Sequence, residues 1–174
     1  DLNGNNGFVL GDDATALNLK DLKLYDSTNA SAVAINVTNG SAALGLENVD
    51  LSAKVTADTA FAMTTAGTTV FNASVEKANL VNNGDLTTAA ENINNATSVT
   101  NNDTLKLSGA LAKAISGNGT TYISSTLSLA DGADISGTLN MNSGDLSLSS
   151  GVATTHNIGT ISGNGNLTID MNLS

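Results

Sequence analysis

The sequence predicts an all-β fold, a parallel β-helix (β-solenoid) of about seven or eight coils, on three observations. The chain repeats itself in its first half, from Leu19 to Leu46 and again to Val75, its apolar residues fall in short alternating runs bounded by Gly and Asn, and it contains no proline. Successive side chains of a strand point to opposite faces, so each run reads as a strand with one buried face. Strands that short are unstable as isolated hairpins. Stacked coils instead pair each strand in parallel with its equivalent one period on, and line the inward aliphatics up into ladders. A residue without an N–H interrupts such a ladder, which accounts for the missing proline. An antiparallel β-sandwich is the competing architecture, since it permits the same short spacing; it gives no reason for the longer period.

The elements are taken in chain order, within one β-solenoid domain over residues 1–174 that reads as a segment of a longer chain. Positions 1–81 carry repeats of about 28 residues, within the range of solenoid periods. Leu19-Lys20-Asp21-Leu22-Lys23-Leu24 recurs as Leu46-Glu47-Asn48-Val49-Asp50-Leu51 and as Val75-Glu76-Lys77-Ala78-Asn79-Leu80. This alignment stacks Leu19, Leu46 and Val75 in one column and Leu24, Leu51 and Leu80 in another. Ala32-Val33-Ala34-Ile35-Asn36 is echoed by Ala60-Phe61-Ala62-Met63-Thr64 and, ahead of both, by Asn6-Gly7-Phe8-Val9-Leu10. Asp21, Asn48 and Lys77 then fall at one bend, where Asn and Asp tolerate a left-handed backbone and Lys is poorly suited. Positions 82–104 are Asn-rich, with a helix-compatible stretch from Leu86 to Ile93, and read as a looped rung or an irregular junction. Positions 105–174 carry shorter repeats, of about 23 residues. Leu105-Lys106-Leu107, Leu127-Ser128-Leu129, Leu146-Ser147-Leu148 and Leu167-Thr168-Ile169 mark them. There, Ile115-Ser116-Gly117-Asn118-Gly119 returns as Ile161-Ser162-Gly163-Asn164-Gly165, two steps later.

Composition narrows the function. Six Lys, no Arg and sixteen acidic residues give a net charge of −10, so no basic patch can neutralise phosphates and nucleic acid is excluded as a partner. Without Cys there is no disulfide or thiolate chemistry. One histidine, His156, excludes a two-histidine metal site. No apolar run is long enough for a membrane-spanning helix.

Candidate chemistry is sparse. Asp12-Asp13 and the pair Asp131 and Asp134 are the closest acidic groups, read as solvated turn acids rather than a Ca²⁺ site or an acid–base pair. His156 reads as a surface-loop residue without a partner. Gly163-Asn164-Gly165-Asn166 lacks the acidic ligand of a calcium-binding repeat. Asn-x-Ser/Thr triplets begin at Asn29, Asn36, Asn39, Asn72, Asn95, Asn102, Asn118, Asn166 and Asn172; each becomes a glycan acceptor only where the Asn faces solvent. Thr64-Thr65, Thr68-Thr69, Thr87-Thr88 and Thr120-Thr121 raise an ice-binding reading, which needs Thr in flat, evenly spaced rows. No catalytic, metal-binding or cofactor-binding residue is assigned, and the ligand-binding residues are left open.

The run from Gly7 through Leu22 with Leu44-Gly45-Leu46-Glu47-Asn48-Val49, and the closing Gly159 to Ile169, resembles the right-handed parallel β-helix repeats of bacterial autotransporter passengers and polymorphic outer-membrane proteins. It departs where those repeats carry Gly-Gly-Ala-Ile, having Ala32-Val33-Ala34-Ile35 instead. The resemblance implies a non-catalytic stalk or adhesin segment, extracellular or on the bacterial outer membrane, with its anchor outside this chain and host glycans or proteins as partners. The alternative is a structural subunit whose partners are copies of itself, stacked end to end into a fibre, matrix or surface layer, because a solenoid ends in unpaired strand edges.

Overall fold

A parallel β-solenoid of about seven turns is what these short strands build. The computed structural model describes residues 1–4, 7–11, 16–29, 31–150 and 155–171. The first rung comprises β1 (Phe8–Leu10) and β2 (Ala16–Leu24), and the second β3 (Val33–Val37) and β4 (Ala43–Leu51). The third has β5 (Lys54–Ala57), β6 (Phe61–Ala66) and β7 (Thr68–Phe71), and the fourth β8 (Ala78–Asn82) and β9 (Asp85–Ala89). Next come a 3-10 turn (Ala90–Asn92), β10 (Ser98–Asn101) and β11 (Thr104–Leu111). Then follow β12 (Ile115–Ser116) with β13 (Thr120–Leu129), β14 (Ile135–Asn140) with β15 (Asp145–Ser150), and β16 (Ile158–Ser162) with β17 (Asn166–Met171).

Every strand pairing among the described residues is parallel. One face stacks β1, β3 and β5 and continues through a bridge from Val55 to Val75. The long sheet bends around the other two faces: β2, β4, β6, β8, β10, β12, β14 and β16 follow one another on the second, and β7, β9, β11, β13, β15 and β17 on the third. One inward column holds Leu17, Leu44, Met63, Leu80, Val99, Ile115, Ile135 and Ile158 without a polar interruption. Another holds Leu24, Leu51, Phe71, Thr88, Leu107 and Ile123. Each full burial of such an apolar side chain contributes about 1.5–3 kcal/mol, and the columns replace the bulky centre that five aromatics cannot supply.

The expected columns hold for one step and then change. Leu19 faces Leu46 and Leu24 faces Leu51, as the first repeat requires. Beyond that, Leu46 faces Thr65 and Leu51 faces Phe71, while Val75 pairs with Val55 and Leu80 lies on Met63. The cause is the turn that follows Leu51: only Ser52 and Ala53 separate β4 from β5, where the stretch from Tyr25 to Ala32 separates β2 from β3, so the second rung is shorter than the first and the echo from Leu46 to Val75 relates different faces. The Ala32 and Ala60 echoes likewise diverge, with β3 covered by β5 and β6 lying on β4. Phe8 faces Ile35, one position out of the expected match. Ile115 leads through Ile135 to Ile158, and Ile161 lies on Leu139 instead. Positions 82–104 form a rung whose loop is the 3-10 turn, with Leu86 in a strand.

The bend columns follow the same revision. Asp21 (φ 53°), Asn48 (φ 55°) and Gly67 (φ 57°) stack at one corner, tied by Asn48 Nδ2 donating to Asp21 Oδ1 at 2.8 Å and Thr68 N donating to Asn48 Oδ1 at 2.9 Å. Lys77 also has positive φ (55°), but at another corner, where its Nζ donates to the Asp58 carbonyl at 2.8 Å. Gly84 packs so closely on Gly67 that a Cβ there would lie 2.5 Å from the Gly67 carbonyl oxygen.

One corner is polar and buried. Thr65 Oγ1 donates to Asn82 Oδ1 at 2.7 Å, and Asn82 Nδ2 donates to Asn101 Oδ1 and to the Thr104 carbonyl, both at 2.8 Å. Asn101 Nδ2 passes the pattern on to the Thr120 carbonyl at 3.2 Å. A side-chain amide donates and accepts at once, so stacked Asn residues satisfy both one another and the backbone that curves away at the corner.

Candidate functional site

The outward side of the coil is built from short polar bridges between rungs. Asp50 joins three rungs: it accepts from Lys23 Nζ at 2.9 Å, from Ser52 Oγ at 2.7 Å and from Asn72 Nδ2 at 3.0 Å. Burial pushes its carboxyl up, and the bonds from Lys23, Ser52 and Asn72 together outweigh that and hold it below the usual range. Lys20 pairs with Glu47 at 2.6 Å, which raises the Lys20 amine through the Glu47 hydrogen bond and charge. Lys106 pairs with Asp85 at 2.7 Å. Asp50 is held as an ion-paired carboxylate, which suits bracing and not proton donation.

At the start of the chain, Asp26 accepts from Thr28 Oγ1 at 2.7 Å and from the amides of Gly4, Thr28 and Asn29. These bonds, the Thr28 hydroxyl first, hold its carboxyl down at about 2. Because the folded value lies below the ordinary 3.8, the folded state binds this proton less readily than the unfolded one. The turn is therefore fully braced above the ordinary 3.8 and loosens as pH falls towards about 2. The expected result is an Asp26 carboxyl NMR titration midpoint near 2, with the Gly4 and Thr28 amides losing exchange protection over the same interval; a midpoint at the ordinary 3.8 refutes it.

The residues singled out from the sequence do not converge. Asp12 and Asp13 lie outside the described residues. Asp134 binds the next rung through the Asn157 amide N at 2.7 Å and its Nδ2 at 3.2 Å, while Asp131 is exposed at a turn. His156, expected to stand alone, has its Nδ1 2.9 Å from the Ala133 carbonyl and is half-buried, with Nε2 buried and unpaired. Asn166, in the glycine-rich corner, donates to Asp145 at 2.8 Å. Among the described residues, no three His, Asp or Glu side chains gather where they could hold a metal ion. The chain matches no protein-family model, no curated protein and no solved structure.

The threonine pairs split between the two sides of the wall. Thr65, Thr69, Thr88 and Thr121 are buried, so only the first member of each pair faces out. This is the alternation of a strand acting on adjacent residues. The outward threonines that do align are Thr104, Thr120, Thr138 and Thr160, one per rung in register. The neighbouring outward column holds Lys106, Tyr122, Asn140 and Ser162, so the face carries one threonine row and not the broad regular array that ice binding needs. Sequence reading missed this row because its members recur at unequal steps along the chain, visible only once the register is known.

Proposed function

We propose that this chain is a non-catalytic β-helical stalk or adhesin segment of a secreted or cell-surface protein of the autotransporter-passenger type, holding binding regions away from the surface that anchors it. The observation that carries the reading is the column from Leu17 to Ile158, which runs through every rung and makes a stiff rod on the order of 34 Å long at about 4.8 Å per step. Supporting it are outward residues devoted to bridging rungs and carboxylates held in ion pairs. The test is antibody against this chain applied to intact cells that express the parent gene. Labelling of intact cells, removed by external protease, is expected; labelling only after permeabilisation overturns the reading.

A second reading is a structural subunit stacked end to end, which a parallel coil permits because its strand edges can pair with those of a copy. Electron micrographs of purified material separate the two, because filaments with an axial repeat near the rod length belong only to the second.

A further inference from the structure

Eight of the nine Asn-x-Ser/Thr triplets begin at described residues, and the coil treats their amides very differently. The Nδ2 groups of Asn72, Asn102 and Asn166 are already donors between rungs, to Asp50 at 3.0 Å, to Asn83 at 2.9 Å and to Asp145 at 2.8 Å. Asn36 and Asn39 are half-buried. In the triplet at Asn29 the middle residue lies outside the described residues. Asn95 is exposed with a free amide, but the hydroxyl of its Thr97 donates to the Lys77 carbonyl at 3.0 Å. Among the described triplets, Asn118-Gly119-Thr120 alone combines an exposed Asn, an amide in no hydrogen bond, and a threonine hydroxyl in none. Its backbone is nevertheless fixed: Gly119 N donates to the Asn101 carbonyl at 2.9 Å and Thr120 N to the Asp103 carbonyl at 2.7 Å. The result is a rigid corner between β12 and β13 that leaves both recognition groups of the triplet unengaged.

We propose that Asn118 is an N-glycosylation site of the folded coil, taking a hexose from a nucleoside-diphosphate sugar through an N-glycosyltransferase. In that step Nδ2 of Asn118 bonds to C1 of the hexose and the bond from C1 to the diphosphate oxygen breaks. The nucleoside diphosphate leaves with the electron pair, and one Nδ2 proton passes to a carboxylate of the transferase. Nucleophilic attack needs an Nδ2 that is free to rotate, and the transferase reads the hydroxyl two positions on; both conditions are met at Asn118 before the enzyme binds. Availability of this amide does not depend on the stalk reading.

The experiment incubates the folded, full chain with a soluble N-glucosyltransferase and UDP-glucose and maps hexose by peptide mass spectrometry. Occupancy at Asn118 is expected to exceed that at Asn72, Asn102 and Asn166 by about tenfold, the factor that breaking one ordered hydrogen bond represents. Asn95 is expected between them. In urea the difference is expected to vanish. Thr120→Val should abolish modification of Asn118 and Thr120→Ser retain it, with unchanged circular dichroism in both. Asn118 left unmodified in the folded chain, or occupied no more than Asn72 and Asn102, overturns the assignment.

Discussion

Replacing Asn82 by alanine is expected to lower stability by about 3 kcal/mol, among the largest losses any single polar truncation produces. The side chain is 1% exposed and occupies the middle of the buried polar corner. Truncation leaves the Thr65 hydroxyl and the Asn101 Oδ1 short of a partner inside the coil and takes a bond from the half-buried Thr104 carbonyl. The cost is that of desolvated, unpaired groups, which exceeds the net worth of the bonds themselves. Urea unfolding should show the midpoint falling with little change in slope. Asn82→Ala and Asn101→Ala should be non-additive in a double-mutant cycle, because the two amides share a bond. A loss below about 0.5 kcal/mol, typical of a surface change, would show that the corner is wet.

Phe71→Ala should be costlier still, about 3–5 kcal/mol. Phe71 is one of the largest fully buried side chains and sits between Leu51 below and Thr88 above. The hole cannot be closed by collapse along the axis, because the spacing of the rungs is set by backbone hydrogen bonds. The change should also be local, since each rung touches only its neighbours. Hydrogen exchange is expected to accelerate in β4, β7 and β9 and to stay nearly constant in β15 and β17. Uniform acceleration through the last rungs would mean that the coil unfolds as one unit, contrary to this prediction.

What could be read from the residues was the parallel coil and its first step; the register beyond Leu51 could not. Leu19 to Leu46 is legible because β2 and β4 are nearly identical in pattern and length, with Leu, Asp or Asn, and an aliphatic again at matching places. Later rungs differ in length, the step from Val99 to Ile115 being much shorter than the step from Ile135 to Ile158, so a fixed period misaligns them. Periodicity reports which residues face inwards, not which rung lies above them. The Asn82 and Asn101 corner was hidden for a related reason: Asn-rich sequence marks loops as readily as ladders, and only stacking tells one from the other. The same holds for Asn118, whose triplet looks like eight others until the bonds of each amide are known.

The parallel hydrogen bonds run from rung to rung, along the rod and not across it. Tension applied between the ends therefore loads the rungs in series, and the weakest junction parts first while the others keep their shape. Such a rod lengthens turn by turn under load.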